Sequence, residues 1–126
     1  MDRPAEQRRL ARRLSNELLG QIDGPIDVFC AMVGTAGLAM GVSGAFAEAG
    51  ADTRIVIIEP ASTAVISGGE PGTHGVEGTG IGFIPPLLDV DRYDEVRSIE
   101  EADGRVMARR LAAEEGLLAG TSTGLN

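Results

Sequence analysis

At 126 residues and 43% hydrophobic, the chain is one domain's length, with an aliphatic core implied by three Phe, one Tyr and no Trp. A net charge of −8 argues against nucleic acid, whose phosphates would be repelled, and the single cysteine, Cys30, excludes a disulfide within the chain. All 11 basic residues are Arg, so no side chain offers the lysine amine that bonds a carbonyl cofactor.

No apolar run approaches the roughly 18 residues of a membrane span, and no leader pattern is visible, so the expectation is a cytoplasmic protein without a membrane partner. Pro4–Gly20 reads as an amphipathic helix: Pro4 suits the first turn, Leu10, Leu14 and Leu18 form a stripe, and Gly20 is a stop. Arg8, Arg9, Arg12 and Arg13 fall mostly on the opposite, solvated face. Asp23-Gly24-Pro25 is a turn, so residues 1–24 form a lead-in and residues 25–126 the α/β domain proper.

Asp27–Val33 reads as a buried strand, with Cys30 expected as a small buried hydrophobe, running into Gly34-Thr35-Ala36-Gly37-Leu38-Ala39-Met40-Gly41. A strand that ends in a glycine turn and enters a helix aims backbone N–H groups and the positive helix end at one spot, an anion seat. The same turn can instead serve only to let helix and strand approach closely, and spacing alone leaves the two readings even. Leu38–Glu48 is an Ala- and Gly-rich helix closed by Gly50. Arg54–Glu59 is then a continuous apolar strand of the kind buried on both faces of a parallel sheet. Strand, helix and strand make a βαβ unit with a right-handed crossover expected. Glu59 at the end of that second strand raises a dinucleotide-binding alternative, but Gly34, Gly37 and Gly41 do not follow the G-x-G-x-x-G spacing.

Ser67–Gly82 carries Gly68, Gly69, Gly72, Gly75, Gly78, Gly80 and Gly82, a density that marks a functional loop inside a compact domain. His74, the sole histidine, lacks a second ligand for a metal and is expected to make a structural hydrogen bond, with a general-base role as the alternative. Asp89, Asp91, Asp94 and Glu95 read as a solvated connection without the ligand pattern of a Ca²⁺ loop. After a short strand over Glu95–Ser98, Ser98 and Glu101 have the spacing of a capping box. The helix that follows runs to Glu115, with Ala102, Val106 and Leu111 toward the core, Gly104 costing about 1 kcal/mol and Gly116 as its cap. Leu117-Leu118-Ala119 reads as a strand leading to Gly120-Thr121-Ser122-Thr123-Gly124, a turn that should launch a helix.

Several of these motifs occur together in one family. Val33-Gly34-Thr35-Ala36-Gly37, Ile58-Glu59-Pro60, Ser67-Gly68-Gly69-Glu70-Pro71-Gly72-Thr73-His74, Gly78-Thr79-Gly80-Ile81-Gly82-Phe83-Ile84-Pro85, Ala108–Leu118 and the Gly120–Gly124 turn resemble, in order and in register, the cysteine synthase and cystathionine β-synthase branch of the fold-type-II pyridoxal-phosphate enzymes. The Gly80–Pro85 element favours this branch over the serine/threonine dehydratases. The likeness covers about Asn16 to Asn126 and implies a three-layer parallel-sheet α/β fold of the tryptophan synthase β type, here incomplete. It implies pyridoxal 5'-phosphate as cofactor, held by Gly34, Thr35, Ala36, Gly37 and Leu38 at the phosphate and by Ser122 at the pyridine nitrogen. Gly78, Thr79, Gly80, Ile81, Gly82 and Phe83 would line the substrate side. The family commonly has Gly-Thr-Gly-Gly-Thr at the phosphate. Here Ala36 stands for a glycine, tolerable with a negative φ, and Leu38 for the last threonine, which removes a donor.

The family's cofactor-holding lysine and its Ser/Thr-Ser-Gly-Asn loop have no counterpart here. The resemblance therefore implies a fragment of an enzyme that makes cysteine, or a related β-substituted alanine, from an activated serine and a sulfide or thiol. By itself such a chain has no catalytic residue and would bind the cofactor without covalent attachment. A non-catalytic half that pairs with itself or with a complementary chain is the other class of reading.

Overall fold

The computed structural model describes residues 3–126, with side chains from residue 12 onward. Leu10, Arg8 and Arg9 of the expected stripe and its opposite face therefore lie outside the described side chains. Helix α1 (Arg3–Gln21) is followed by strand β1 (Val28–Met32), helix α2 (Gly37–Glu48), strand β2 (Arg54–Pro60), strand β3 (Glu95–Ile99), helix α3 (Glu101–Glu114) and the short helix α4 (Thr121–Leu125). The three strands are parallel in the order β1-β2-β3, with Cys30 beside Val56 and Val56 beside Glu95.

Alternation along the strands divides the core between two faces. On one face Ala31, Ile55 and Ile57 pack with Val33 under Ala39, Val42 and Phe46 of α2. Phe29 meets Phe46 edge-on, with centroids 5.9 Å apart. Phe46, Ile57 and Val42 are fully buried, each stabilising by roughly 1.5–3 kcal/mol relative to exposure. On the other face Ile58, Val76 and Leu125 form a smaller cluster with Met32 and Ile99. Helices thus sit on both sides of a sheet whose middle strand is buried from Ile55 to Pro60, as the apolar run over β2 predicts.

Helix α1 packs on α2, but among its described side chains the buried one is Ser15, while Leu14 is 37% exposed. The stripe is rotated about one position from the expected one, toward Ser15 and Leu18. Cys30 is exposed, not buried. It lies on the sheet face away from α2, which Leu125 of α4 covers only at the Met32–Ile58 end, and β1 is an edge strand with Val28 49% exposed.

The acidic connection is more than a solvated face. Asp94 donates its N–H to the Ile55 carbonyl at 2.9 Å and accepts the Ile55 N–H on Oδ2 at 2.7 Å, pinning the start of β3 to β2. Asp89 accepts the Asp91 N–H at 3.1 Å. Ser98 does not cap α3. Strand pairing carries β3 through Ile99 opposite Pro60, so the N-cap falls on Glu100 and has no side-chain hydrogen bond. Ala102 and Val106 are exposed; the side of α3 that faces inward is centred on Gly104.

Gly104 is there for close approach. A Cβ at that position would collide with Leu125, with Cδ2 at 2.8 Å and the Thr121 carbonyl oxygen at 3.2 Å. Gly124 is reciprocal, facing the Ala108 nitrogen at 2.8 Å. Leu117-Leu118-Ala119 forms no strand, and Leu118 is 96% exposed. A strand requires a neighbour to pair with, and among the described residues this segment has none. Gly120–Gly124, expected as a turn that launches a helix, is itself helical: Thr121–Leu125 form α4, with Gly120 as its N-cap.

Candidate functional site

The sequence motifs converge at the carboxyl ends of the parallel strands, where open α/β sheets bind ligands. Pairing extends one residue past β1, through the Val33 N–H to the Ile58 carbonyl at 3.2 Å. The chain then turns at Gly34 and enters α2. Ala36 is the N-cap, with φ 65° and no side-chain cap. That is a left-handed conformation, so the condition under which alanine is tolerated without strain, a negative φ, is not met. Ala bears a strain of roughly 1–2 kcal/mol there. The N–H groups of the first turn of α2 receive no capping side chain, which leaves them for an anion. Thr35 is exposed and Leu38 is 48% exposed beside them.

Directly on this turn lies the glycine loop. A Cβ on Gly34 would drive into the Gly78 carbonyl, whose carbon would be 3.3 Å away, and the Gly80 N–H donates to the Val33 carbonyl at 3.1 Å. His74 holds the loop's shape. Its Nδ1 accepts the Val76 N–H at 3.1 Å, which makes Nε2–H the donor to the Gly80 carbonyl at 2.9 Å. The histidine is therefore structural, as expected. Thr79 donates its hydroxyl to the Val76 carbonyl at 3.3 Å. Ile81 and Phe83 are 38% and 57% exposed, so that part of the loop faces outward.

Glu59 anchors the loop's other end. It is 1% exposed and accepts the Ile66 N–H at 2.8 Å, the Ser67 N–H at 3.1 Å, the Ser98 hydroxyl at 3.2 Å and the Ser67 hydroxyl. Both of its oxygens are engaged within the fold, which removes the dinucleotide alternative's ribose partner.

Ser122 lines a cavity of 420 Å³ with Gly75, Val76, Glu77, Gly120 and Thr121. One wall is tied to α3: Glu101 accepts the Gly75 N–H at 2.7 Å and pairs with Arg105. The Gly75 N–H, and then Arg105, hold the Glu101 carboxyl below the usual carboxylate range. Thr35 and Leu38 are not among the cavity's lining residues. Asn126 ties Ser122 to the end of β1: its Oδ1 accepts the Met32 N–H at 2.7 Å and its Nδ2 donates to the Ser122 carbonyl at 3.1 Å. Asn126 is not singled out by the sequence, and nothing local signals its role; Glu59 reads there as a ribose partner and as part of a family motif, but not as the anchor of the loop. A second cavity, of 170 Å³, lies at the opposite, amino-terminal ends of the strands beside Ser43, Thr53 and Tyr93 and contains none of the motif residues.

The donor set suits a pyridine ring bearing a phosphate: N–H groups without a capping side chain at the start of α2, next to the exposed Thr35, and Ser122 at the cavity wall. Among the described residues, no group of three or more His, Cys, Asp or Glu side chains could hold a metal, and no helix is long and apolar enough to cross a membrane.

Over most of its length the chain is similar to known proteins. The chain is 45% identical over 109 residues, 86% of its length, to a cysteine synthase of Staphylococcus aureus, of which it covers 35%. Its fold superposes with a TM-score of 0.91 and 30% identity on O-acetyl serine sulfhydrylase isoform 3 of Entamoeba histolytica, covering 96% of this chain and 36% of that one. It does so with a TM-score of 0.90 and 34% identity on O-ureido-L-serine synthase, covering 98% and 40%. The chain thus spans about a third of the length of the curated relatives it matches. Residues 7–126 match the family described as pyridoxal-phosphate dependent enzyme, and the chain belongs to that family, on its cysteine synthase side.

Proposed function

We propose that this chain is the cofactor-cradling part of a cysteine-synthase-like enzyme that replaces the β-substituent of an activated serine with sulfide or a thiol. The observation that carries this reading is the joining, by Asn126 and by the glycine loop resting on Gly34, of the uncapped start of α2 to the cavity that holds Ser122. Gly34, Thr35, Ala36, Gly37 and Leu38 bind the phosphate through backbone N–H groups and the Thr35 hydroxyl, and Ser122 offers a neutral hydroxyl to the ring nitrogen. When bound, pyridoxal 5'-phosphate supplies an electron sink for the carbon that carries the amino group. Gly78, Thr79, Gly80, Ile81, Gly82 and Phe83 form the substrate side.

The chain contains no lysine, so the group that fixes the cofactor covalently and moves the α-proton comes from outside these residues, from further sequence or from a complementary chain. The isolated chain accordingly binds the cofactor non-covalently and does not turn over O-acetylserine. A titration with pyridoxal 5'-phosphate, followed by difference absorbance, tests this. Saturable one-to-one binding is expected, weakened about 5-fold by Thr35→Ala and strengthened about 5-fold by Leu38→Thr, each being one hydrogen bond to phosphate of about 1 kcal/mol. Binding indifferent to both substitutions would refute the phosphate seat, and turnover by the pure chain would refute the fragment reading.

A further inference from the structure

The outer edge of β1 is closed at one point by a side chain. In a parallel strand the backbone groups of successive residues point alternately to the two sides. Asp27 and Val33 face β2: the Asp27 carbonyl accepts the Arg54 N–H at 2.9 Å, and the Val33 N–H reaches the Ile58 carbonyl at 3.2 Å. Val28, Cys30 and Met32 therefore face away from β2, on the edge of the sheet among the described residues. The Met32 N–H is the last such donor before the phosphate turn, and the Asn126 Oδ1 takes it at 2.7 Å. The Nδ2 of the same amide donates to the Ser122 carbonyl at 3.1 Å, and the Asn126 backbone N–H donates to that carbonyl at 3.2 Å. One amide orientation serves both side-chain bonds, oxygen toward the strand and nitrogen toward α4.

Helix α4 has only Thr121–Leu125 and is too short to hold its place without tertiary contacts. Gly124 lies against Gly104 and Ala108 of α3, and Leu125 enters the cluster of Ile58 and Val76, beside Met32. Apolar packing of this kind is non-directional, whereas the Asn126 amide fixes Ser122 against one atom of the strand that leads to Gly34–Leu38. We propose that Asn126 is a positioning residue: by holding the Ser122 backbone to the end of β1, it sets the span of the site for a ligand with a phosphate at one end and a ring nitrogen at the other. The proposal rests on the reading that the start of α2 takes the phosphate and Ser122 the ring edge, and it deepens that reading. A ligand gripped at both ends gains because its second contact is intramolecular, and the gain is lost when the two seats are not held at a matching separation. A ligand with a phosphate alone uses one seat and is indifferent to the span.

Pyridoxine 5'-phosphate is a suitable two-ended probe, because it carries the ring nitrogen and the phosphate but no aldehyde to react with an amine; inorganic phosphate is the one-ended probe. Both are titrated by calorimetry into the full chain, Asn126→Ala and Asn126→Asp. The readout is the ratio of the two affinities, since a general loss of stability weakens both alike. Asn126→Ala should lower the ratio roughly 5-fold, the worth of one hydrogen bond, with inorganic phosphate bound as on the unaltered chain. Asn126→Asp keeps an oxygen for the Met32 N–H and should hold the ratio within roughly 2-fold of the parent. A ratio unchanged in Asn126→Ala, or lowered as far in Asn126→Asp, would overturn the positioning role and leave the cofactor seat standing. So would a Met32 amide that exchanges its hydrogen freely on the unaltered chain, a measurement that needs no variant. A probe bound no more tightly than inorganic phosphate by the unaltered chain would overturn the two-ended seat and this proposal together.

Discussion

Replacing Glu59 by Gln tests whether a buried carboxylate, rather than the glycine content of the loop, sets the shape of the site. The substitution keeps the side chain's volume and turns one of two acceptor oxygens into an NH₂ group. In one amide orientation that group faces the Ile66 N–H, in the other the Ser67 N–H, which approach the carboxylate at 2.8 and 3.1 Å. The hydroxyls of Ser67 and Ser98 can rotate to accept, but a backbone N–H cannot. Either way, one N–H loses its partner beside a residue that is 1% exposed, at about 1–3 kcal/mol, and the surviving bonds weaken by roughly 1 kcal/mol on losing their charge. The expected loss is therefore about 2–4 kcal/mol, which lowers the Tm by roughly 8–15 °C for a domain of this size. Thermal unfolding by circular dichroism measures the loss, and amide hydrogen exchange at Ile66 and Ser67 should show protection falling there first. A Glu59→Gln protein within about 0.5 kcal/mol of the parent, with both amides still protected, would refute the clamp.

Three further outcomes follow from the same structure. Gly104→Ala gains about 1 kcal/mol of helix propensity but forces a methyl onto Leu125 and the Thr121 carbonyl; overpacking of about 1–3 kcal/mol should leave it less stable in urea and, by shifting α4, weaker toward the cofactor. Ala36→Gly relieves roughly 1–2 kcal/mol of left-handed strain yet loses a buried methyl worth about 0.8 kcal/mol and adds unfolded-state entropy of roughly 0.4–1 kcal/mol, so the unfolding midpoint should barely move. Glu101 and Glu95 are held below the usual carboxylate range, Glu101 first by the Gly75 N–H and then by Arg105, Glu95 first by its hydrogen bond with Arg97. A lowered folded-state value means stability that is present above the ordinary glutamate range and lost as the pH falls through the folded-state values, so Glu101→Gln should flatten the acid limb of a stability–pH curve.

The βαβ unit was legible because its signals are local: an unbroken apolar run for β2, Ala and Gly over α2, and glycines where the chain turns. The motif residues were legible as a set because their spacing resembles one family. Other features depend on partners that a linear reading does not place. Cys30 lies in an apolar strand, but whether it is covered depends on how far α4 reaches across the sheet. Ser98 and Glu101 have capping-box spacing, yet pairing of Ile99 with Pro60 keeps Ser98 in the strand, where its hydroxyl serves Glu59. Leu117-Leu118-Ala119 has a strand's composition and no neighbour to pair with among the described residues. Ala36 is comfortable only at negative φ, and the sequence does not show that the turn holds it at φ 65° instead.

The candidate site is assembled less by reactive side chains than by places where a side chain is missing. Gly34 admits the Gly78 carbonyl, and Gly104 and Gly124 let α4 settle onto α3. Asn126 then ties Ser122 back to β1 at Met32, two residues before the phosphate turn. Glycine at these positions costs helix propensity and loop entropy, which only a specific close contact offsets. That is why a sequence poor in catalytic groups is nevertheless constrained so tightly around one edge of its sheet. On the proposed reading, the cradle depends on backbone approach, while the covalent chemistry depends on an amine that these residues do not supply.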